Sequence, residues 1–464
     1  MPDFFVQSFG CRATQADGAV LERQLASQGL RPASSAVTAD LVVLNTCTVT
    51  AAADQDARAA IRRIHRENPA ARILVTGCYA QRAPQEIAAL PGVTWVVGNS
   101  HKHEVAGIVA GSPVKEAAGP NFVSLETVAL SAPAFTVVGD IFAHTELIAA
   151  PVFSGETPGE KTRPNLKVQD GCDNRCSFCI IPSVRGRSRS MKPERVVAET
   201  NALVAAGYRE IVLSGINLGR WGRDFQPQSS FIRLLRTLLD ETGIEKVRIS
   251  SVEPMDWSND LIALVAGSSR IAKHAHVPLQ SGSDRILRRM HRKYRPWHYA
   301  EKIRKIREAM PDAAIGADVM VGFPGETNEL FEESRSFIER LPFTYLHVFT
   351  YSSRPGTPSA AMPDQIPVHV ARERNRVLRE LAAEKNLEFR ESFVGRELEV
   401  ITLQAGEPDW TEALSDNYLK VRLSGRHAAN EKLFVRVSGV GDDHLIAAVP
   451  ENSRSRQDNM ALCL

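Results

Sequence analysis

Three cysteines lie close together in the pattern C-x3-C-x2-C. They are Cys172, Cys176 and Cys179, within residues 170–182. Closely spaced thiolates can bind several corners of a [4Fe–4S] cube, and a set of three leaves one iron open for another ligand. A structural zinc site would use four Cys or His ligands, and a disulfide framework is typical of secreted chains. No fourth ligand follows at a zinc-like spacing, so the pattern favours an iron–sulfur cluster with an open iron.

Three further cysteines each follow an apolar stretch that predicts a β-strand. Cys11, Cys47 and Cys78 come after residues 4–8, 41–44 and 73–75. If these strands are parallel, their carboxyl ends meet at one edge of the sheet. The three thiols then converge, which predicts a second three-thiolate cluster. The alternative is that each is a small buried hydrophobe, as a single free cysteine usually is.

The surrounding pattern predicts an α/β protein with three domains. Residues 1–110 alternate strands and helices, which indicates a parallel α/β domain. Residues 111–160 are rich in Pro, Gly, Ser and Thr and are expected to be a partly structured linker. In residues 161–390 about six strand–helix units predict an open (β/α)6 relative of the TIM barrel, with strands near 165–169, 210–214, 246–251, 274–278, 314–321 and 345–349. Residues 391–464 carry short strands and turns, typical of a small β-barrel.

The composition indicates a globular protein of the cytoplasm. The chain has 464 residues, 43% hydrophobic and 24% charged, enough for two to four domains. Its net charge is only +2, so a nucleic-acid surface would have to be a local patch. No signal peptide or membrane-spanning run is expected. Seven cysteines, an odd number without an export signal, fit a reducing compartment.

Several motifs resemble those of the radical S-adenosylmethionine (SAM) methylthiotransferases. They are residues 7–15, NTCTVT at 45–50, GCYAQ at 77–81 and the cysteine loop. The resemblance covers nearly the whole chain, and residues 391–464 resemble the TRAM module of RNA-modifying enzymes. It implies two [4Fe–4S] clusters. SAM would bind the open iron of the one held by Cys172, Cys176 and Cys179, and the auxiliary cluster on Cys11, Cys47 and Cys78 would carry or donate sulfur. Two SAM molecules would serve each turnover, one for methyl transfer and one for the radical.

The same resemblance assigns SAM contacts to residues near the predicted strand ends. The candidates are Phe178, Ser214, Gly215, Glu253, Gln280 and Asp318. The Ser283–Asp284 pair after the fourth strand is equally suited to cap a helix. His274 and His276 alternate on one predicted strand. Packing or hydrogen bonding inside the barrel is favoured for them over a metal pair.

A basic run with aromatic neighbours lies beyond the fourth predicted strand of the barrel. Clustered Arg and Lys with Tyr294 and Trp297 suit RNA binding, although a solvated helix face is the alternative. The candidates for RNA binding are Arg288, Arg289, Arg292, Lys293 and Arg295, with Asn417, Tyr418, Lys420 and Arg422 in the C-terminal barrel.

Within the family, the motifs at 214–219, 292–294 and 351–357 are most similar to one branch. That branch methylthiolates carbon 2 of N6-threonylcarbamoyladenosine at tRNA position 37. Ser183 departs from its pattern, which has an aromatic residue there. The resemblance implies the tRNA anticodon loop, an electron donor such as a flavodoxin or ferredoxin, and the sulfur and cluster-assembly machinery as partners. Alternatives are the enzymes for isopentenyladenosine in tRNA and for a ribosomal-protein aspartate, or, from another class, an iron–sulfur electron carrier or a non-catalytic RNA-binding protein.

Overall fold

The computed structural model describes residues 2–111, 134–144, 147, 162–403 and 409–450. The linker predicted around 111–160, and the tail with Cys463, therefore lie largely outside the described residues. The N-terminal elements are β1 (Asp3–Ser8), α1 (Arg12–Ser27), β2 (Arg31–Pro32), β3 (Leu41–Thr46), α2 (Ala51–Glu67), β4 (Arg72–Gly77), α3 (Cys78–Arg82), α4 (Pro84–Ala88), β5 (Val93–Gly98), a 3-10 helix (Asn99–Glu104), α5 (Val105–Val109) and β6 (Phe135–Val137).

These strands form one parallel sheet, as predicted, in the order β2-β1-β3-β4-β5-β6. All six residues of β3 are buried, because helices cover both faces of the sheet. Ile61 and Ile64 of α2 pack on one face, and Leu21 and Leu25 of α1 pack on the other. The strand β6 lies in the segment predicted as a linker, so part of that segment extends the sheet.

The central domain alternates strands and helices after residue 164. Trp221 and Leu234 lie in the core between the strands and the outer helices. The elements are β7 (Asn165–Asp170), α6 (Ile181–Arg185), β8 (Arg189–Ser190), α7 (Pro193–Ala205), β9 (Glu210–Gly215), α8 (Phe231–Glu241), β10 (Lys246–Ile249), α9 (Asn259–Gly267), β11 (His274–His276), α10 (Asp284–Arg289), α11 (Pro296–Ala309), β12 (Ala314–Val321), α12 (Asn328–Arg340), β13 (Tyr345–Thr350) and α13 (Val368–Glu391).

Six parallel strands of this domain form the predicted open barrel. The strands β7, β9 and β10 pair in one group, and β11, β12 and β13 pair in another. A parallel bridge between Val247 and Ile271 joins the groups, as does the hydrogen bond from the Val252 amide to the His276 carbonyl (3.1 Å). Parallel strands direct their carboxyl ends to one rim, where the cysteine loop follows β7.

The C-terminal domain is a closed five-stranded barrel. In β16, Val421 and Leu423 point inward and alternate with exposed polar residues. The sequence pattern alone does not predict β15, whose inward positions are the small or isolated residues Thr411 and Ala413. The strands are β14 (Glu397–Thr402), β15 (Trp410–Ser415), β16 (Lys420–Ser424), β17 (Lys432–Val440) and β18 (Leu445–Ala448), in the order β14-β15-β16-β18-β17.

Polar contacts dock this barrel on the central domain. The buried Arg248 of β10 donates to the Ser415 and Asp416 carbonyls at 3.2 and 3.1 Å. Asn417 donates to the Asp312 carbonyl at 2.9 Å. Asn417 is therefore buried in a domain interface, which corrects its assignment to an RNA-binding face. Across the described ranges, no helix has the length and apolar character needed to span a bilayer.

Two tryptophans of the central domain give a matched test of the core. The Trp221 side chain is 1% exposed and its indole donates to the Met191 carbonyl at 3.0 Å, whereas Trp297 is 57% exposed. We expect Trp221→Ala to lower the free energy of unfolding by about 3–5 kcal/mol, and Trp297→Ala to change it by less than about 1 kcal/mol. Urea denaturation measures both. Equal effects of the two substitutions would contradict the described core.

Candidate active site

The cysteine loop leaves β7 through a turn at Gly171. This residue has a φ of +70°, and a Cβ there would lie 1.9 Å from the Arg187 carbonyl oxygen, so only glycine fits. Burial, together with the neighbouring Cys176, raises the pKa of both Cys172 and Cys179, the latter to about 12. Such a thiol is protonated at neutral pH and becomes a thiolate as a metal ligand. Cys172 and Cys179 thus both lie within the electrostatic influence of Cys176.

Three hydrogen-bond donors reach sulfur atoms of this loop. The Asn174 amide and Asn217 Nδ2 lie 3.4 and 3.6 Å from Cys172 Sγ. Arg292 Nη1 lies 3.3 Å from Cys176 Sγ. Hydrogen bonds and positive charge at ligating sulfurs stabilise the thiolate form and raise the reduction potential of a cluster.

Arg292 does not belong to an exposed RNA-binding face, which corrects the prediction from its basic run. Its side chain is buried because the chain turns back into the domain after α10. The guanidinium forms an ion pair with Glu253 and donates to the Tyr294 hydroxyl at 3.1 Å. Tyr294 is buried as well, so neither residue is available to a phosphate or a base.

The rest of the run is divided between several environments. Arg288 and Arg295 both form ion pairs with Asp284, at 2.8 and 3.2 Å. Arg289 is half-buried against the backbone of Gly325. Lys293 is exposed. These residues do not form one continuous basic stripe.

Polar groups without partners lie at the ends of β9 and β10. Ser214 Oγ, Ser250 Oγ and Asn217 Oδ1 are buried and lack a hydrogen-bond partner among the described residues. A buried hydroxyl without a partner costs about 1–3 kcal/mol, so these atoms suit a polar ligand. A Cβ on Gly215 would lie 2.9 Å from Gln169 Oε1, so the backbone of Gly215 passes close to the Gln169 side chain. Ser214 and Gly215 therefore fit the SAM site predicted for them, beside the cysteine loop.

The other candidates for SAM binding are distributed around this rim. Phe178 packs with Met290 and Phe323 and anchors the cysteine loop on α10. Gln280 has a φ of +66° and pairs through its backbone with β12. Asp318 lies inside β12 and not at its end, which differs from the prediction.

Asp318 belongs to a polar cluster in the barrel interior. His276 Nε2 and His347 Nδ1 lie 3.1 and 3.3 Å from its carboxylate. Burial would raise the pKa of Asp318, but both histidines hold it well below its usual range. The Tyr345 hydroxyl lies 2.6 Å from His274 Nε2 and 2.9 Å from His276 Nδ1. The histidine pair therefore takes part in hydrogen bonds inside the barrel.

Ser283 occupies the N-cap position of α10, but its side chain forms no capping hydrogen bond. Its Oγ is buried and lacks a partner among the described residues. Ser283 therefore has the position of an N-cap residue but does not form the capping hydrogen bond.

The three N-terminal cysteines follow β1, β3 and β4, which are neighbours in the sheet. A Cβ on Gly10, at a φ of +102°, would lie 2.6 Å from Cys47 Cβ. Burial, then Cys78 and Cys11, raises the pKa of Cys47 to about 12. Cys47 and Cys78 are buried, whereas Cys11 is exposed at the start of α1. The convergence expected from the strand ends is therefore present.

One cysteine of the N-terminal set lies at the interface with the segment after the cysteine loop. Cys78 packs against Ile180, which follows Cys179 directly, and against Val184 in the next helix. Asn99 Nδ2 donates to Cys78 Sγ at 3.4 Å and to the Val184 carbonyl at 2.7 Å. One side chain thus bridges the N-terminal set to the central domain.

A buried charge network, not predicted from the sequence, holds this interface. Asp17 of α1 forms ion pairs with Lys102 and Arg185 at 2.9 and 3.2 Å and also with Lys167. Asp170 pairs with Lys167 and Arg185 at 2.9 and 3.0 Å. Burial alone would raise the pKa of Asp17, but the three cations lower it to about 2. The available signal was that Lys167 lies in a strand that alternates polar and apolar residues and ends in Asp170.

A second network ties the loop after β13 to the residues after Cys47. Arg354 forms an ion pair with Asp54 and donates to Thr48 Oγ1 at 2.7 Å. Arg82 contacts the same two groups at 3.0 and 2.9 Å. The 351–357 motif therefore acts as a contact with the N-terminal domain.

We expect Asp17→Asn to destabilise the protein by about 3–5 kcal/mol at pH 7, because it leaves buried cations without a partner. Asp443→Asn, at an exposed pair with Lys420, should cost about 1 kcal/mol or less. The folded-state pKa of Asp17 lies below its unfolded value near 4, so its contribution is present above pH 4 and is lost as the pH falls through about 2. Urea denaturation at several pH values measures this, and equal losses for both variants would contradict the expected role of the network.

Comparisons with known proteins agree with this architecture. Residues 3–98 match the model of the uncharacterized protein family UPF0004, and residues 166–338 match that of the radical SAM superfamily. The radical SAM methyltransferase TsrM from Kitasatospora setae superposes with a TM-score of 0.57 at 15% identity, over 77% of this chain and 76% of that one. At this identity the likeness concerns the fold alone.

Similar sequences extend over most of the chain. The threonylcarbamoyladenosine tRNA methylthiotransferase MtaB of Bacillus subtilis is 38% identical, over 90% of this chain and 89% of that protein. MtaB of Aquifex aeolicus is 37% identical, over 90% and 96%. The tRNA-2-methylthio-N(6)-dimethylallyladenosine synthase of Thermobifida fusca is 36% identical, over 92% and 81%. With such relatives along nearly its whole length, this chain belongs to the radical SAM methylthiotransferase family.

Proposed function

We propose that the protein is a tRNA-modifying enzyme that methylthiolates carbon 2 of N6-threonylcarbamoyladenosine at position 37. The observation that carries this proposal is the contact of Cys78 with Ile180 and Val184, because it brings two three-cysteine sets to one interface. A reaction that joins sulfur transfer to radical chemistry needs both centres within reach of one substrate carbon. An electron carrier needs neither an open iron nor a second set.

In this proposal, Cys172, Cys176 and Cys179 hold one [4Fe–4S] cluster, and Cys11, Cys47 and Cys78 hold the other. When bound, the first cluster supplies the electron that cleaves SAM to a radical, and the second carries the sulfur. Ser214, Gly215, Glu253 and Phe178 surround the SAM site, supported by the partnerless Ser214 Oγ. In the proposal, Gln280 contributes to the SAM site from the rim of the barrel, and Asp318 contributes from further inside it. The proposed domain bounds are 1–110 for the N-terminal domain, 161–390 for the central domain and 391–464 for the C-terminal barrel, with 111–160 as the linker that contributes β6 to the N-terminal sheet.

The chain's own residues orient these groups and exclude water. Asn217 and Arg292 hold sulfur atoms of the cysteine loop, and Arg292 in turn holds Glu253. Asn99 and the buried charge network keep the N-terminal set against the loop. A closed interface of this kind protects a radical from solvent.

The threonylcarbamoyl substrate is supported by the MtaB relatives and by the 351–357 motif. The dimethylallyladenosine synthases, at 34–36% identity, make isopentenyladenosine in tRNA the second candidate. Arg288, Arg289, Lys293 and Arg295 stay as proposed RNA contacts. A flavodoxin or ferredoxin as electron donor, sulfur supply by the cluster-assembly machinery and a cytoplasmic location complete the proposal.

Anaerobic turnover tests the function. The reconstituted protein receives SAM, dithionite and tRNA carrying either modified adenosine, and mass spectrometry reads the nucleosides. We expect a methylthio product on the threonylcarbamoyl nucleoside alone. Product on the isopentenyl nucleoside alone would assign the other branch.

Cysteine variants separate the two centres. Cys172→Ala should abolish 5′-deoxyadenosine and product together, whereas Cys78→Ala should keep SAM cleavage and lose the methylthio product. If SAM were not cleaved despite two intact clusters, the enzyme assignment would fail. If tRNA affinity alone survived the loss of all six cysteines and the wild type made no product, an RNA-binding protein would remain.

Arg292→Met should lower the midpoint potential of the cluster on the cysteine loop, because a positive charge and a hydrogen bond to Cys176 are lost. The measurement is a redox titration followed by electron paramagnetic resonance, with Cys11, Cys47 and Cys78 changed to Ala so that one cluster remains. Arg288→Met, on the exposed surface of α10, is the control. An unchanged potential in Arg292→Met would refute this role.

A further inference from the structure

A cavity of about 410 Å³ lies where the C-terminal barrel covers the open side of the strand barrel. The strand β13 is the edge of its sheet there, and Tyr345 and His347 of this strand face the cavity. Arg163, which precedes β7, and Tyr418 of the C-terminal barrel complete this part of the wall. Because Arg163, Ala314 and Tyr345 lie at or just before the first residues of their strands, the cavity lies at the amino ends of the barrel strands, beside the polar interior.

Arg12 approaches the same region from the N-terminal domain. Asn165 Nδ2 donates to the Arg12 carbonyl at 2.8 Å, which brings the start of α1 beside the start of β7. Burial, then Arg248 and Arg12, lowers the pKa of Arg163. The charge of Arg12 also acts on Tyr345. Arg12 directly follows Cys11 in the sequence, so it links this region to the N-terminal cysteine set.

These two guanidinium groups have no anionic partner in the described part of the chain. Neither Arg12 nor Arg163 takes part in a side-chain hydrogen bond or ion pair there. The carboxylate that acts on Arg163 is Glu210, and Arg248 already binds it at 2.6 Å. Two neighbouring cations, one of them largely buried, are stabilised when an anion binds between them.

Two carboxylates at or beside the cavity are engaged by cations of their own, whereas Glu412 lines it without an ion pair among the described residues. Asp318 is held by His276 and His347, and Asp443 is held by Lys420 at 2.7 Å. They neither neutralise the two arginines nor occupy their donors. The donors that stay available at this site belong to Arg163 and Arg12, and they suit an anion.

We propose that Arg163, together with Arg12, binds the carboxylate of the threonyl group on the target nucleoside. This inference rests on the proposed function and adds the residues that select the substrate. The threonylcarbamoyl group ends in a carboxylate, whereas an isopentenyl group is neutral and apolar. A guanidinium matches a carboxylate through two parallel hydrogen bonds, so the cavity favours the acidic nucleoside over neutral N6-modified adenosines.

The test compares two anticodon stem-loop RNAs, one with threonylcarbamoyladenosine and one with its threonyl methyl ester. They differ in one methyl group and in the negative charge that this group removes. Binding to the reconstituted protein is measured by fluorescence anisotropy, and turnover is measured anaerobically as kcat/KM. We expect the wild type to prefer the acid by about 10- to 100-fold, as for hydrogen bonds to a charged group. In Arg163→Met the preference should fall to near one, with affinity for the ester retained.

Two more variants keep the result interpretable. Arg163→Lys should retain part of the preference, because it keeps the charge. Arg12→Met, at an exposed position, should reduce the preference several-fold and does not depend on the folding of Arg163→Met. Arg376→Met is the control, because it removes an exposed arginine paired with Glu373 and Glu380 on α13. Its acid-to-ester ratio should equal that of the wild type.

The outcomes separate the inference from the function it rests on. If the wild type makes product on the acid and Arg163→Met keeps the preference, the inference alone is wrong. If Arg163→Met lost affinity and kcat/KM equally for the acid and the ester RNA, the inference would also be overturned. Such a result would indicate a general role of Arg163 in RNA binding or folding. If the wild type makes no methylthio product on the acid RNA, the proposed function itself fails.

Discussion

A buried ionic contact between two domains sets the geometry on which the candidate active site depends. Asp17 belongs to the helix that begins beside Cys11, and Asp170 immediately precedes the cysteine loop. Both carboxylates share Lys167 and Arg185. Any shift of the helix against the loop would separate buried charges, which costs more free energy than sliding an apolar surface. The network therefore fixes the position of one cysteine set relative to the other.

The parts that the sequence predicted well are those carried by local patterns. The C-x3-C-x2-C spacing, the cysteines after three apolar strands and the strand–helix alternation each involve a few neighbouring residues. The buried network was not predictable in this way, because Lys167 and Asp17 are 150 positions apart. Lys102 and Arg185 give no sign in the sequence that they share a partner. Only the folded sheet brings them together.

Charge runs were the least reliable part of the sequence for locating function. In the run after α10, Arg292 turns inward to Cys176 and Glu253, while Arg288 and Arg295 share Asp284. The cations with open donors, Arg12 and Arg163, are instead isolated from this run in the sequence. Composition counts charges, but it does not state which of them already have partners. The substrate recognition proposed above uses charges that have no partner among the described residues.

The contact of Arg354 with Asp54 has a consequence for biosynthesis. The two residues are 300 positions apart, so the ribosome has made most of the central domain before Arg354 emerges. Until then the segment after Cys47 has Arg82 as its partner but lacks the second arginine. The N-terminal domain can form its sheet early, since its strands are close in the sequence. The surroundings of Cys47 are completed only late in translation, so full enclosure of the N-terminal cysteine set follows synthesis of the domain that would make the radical.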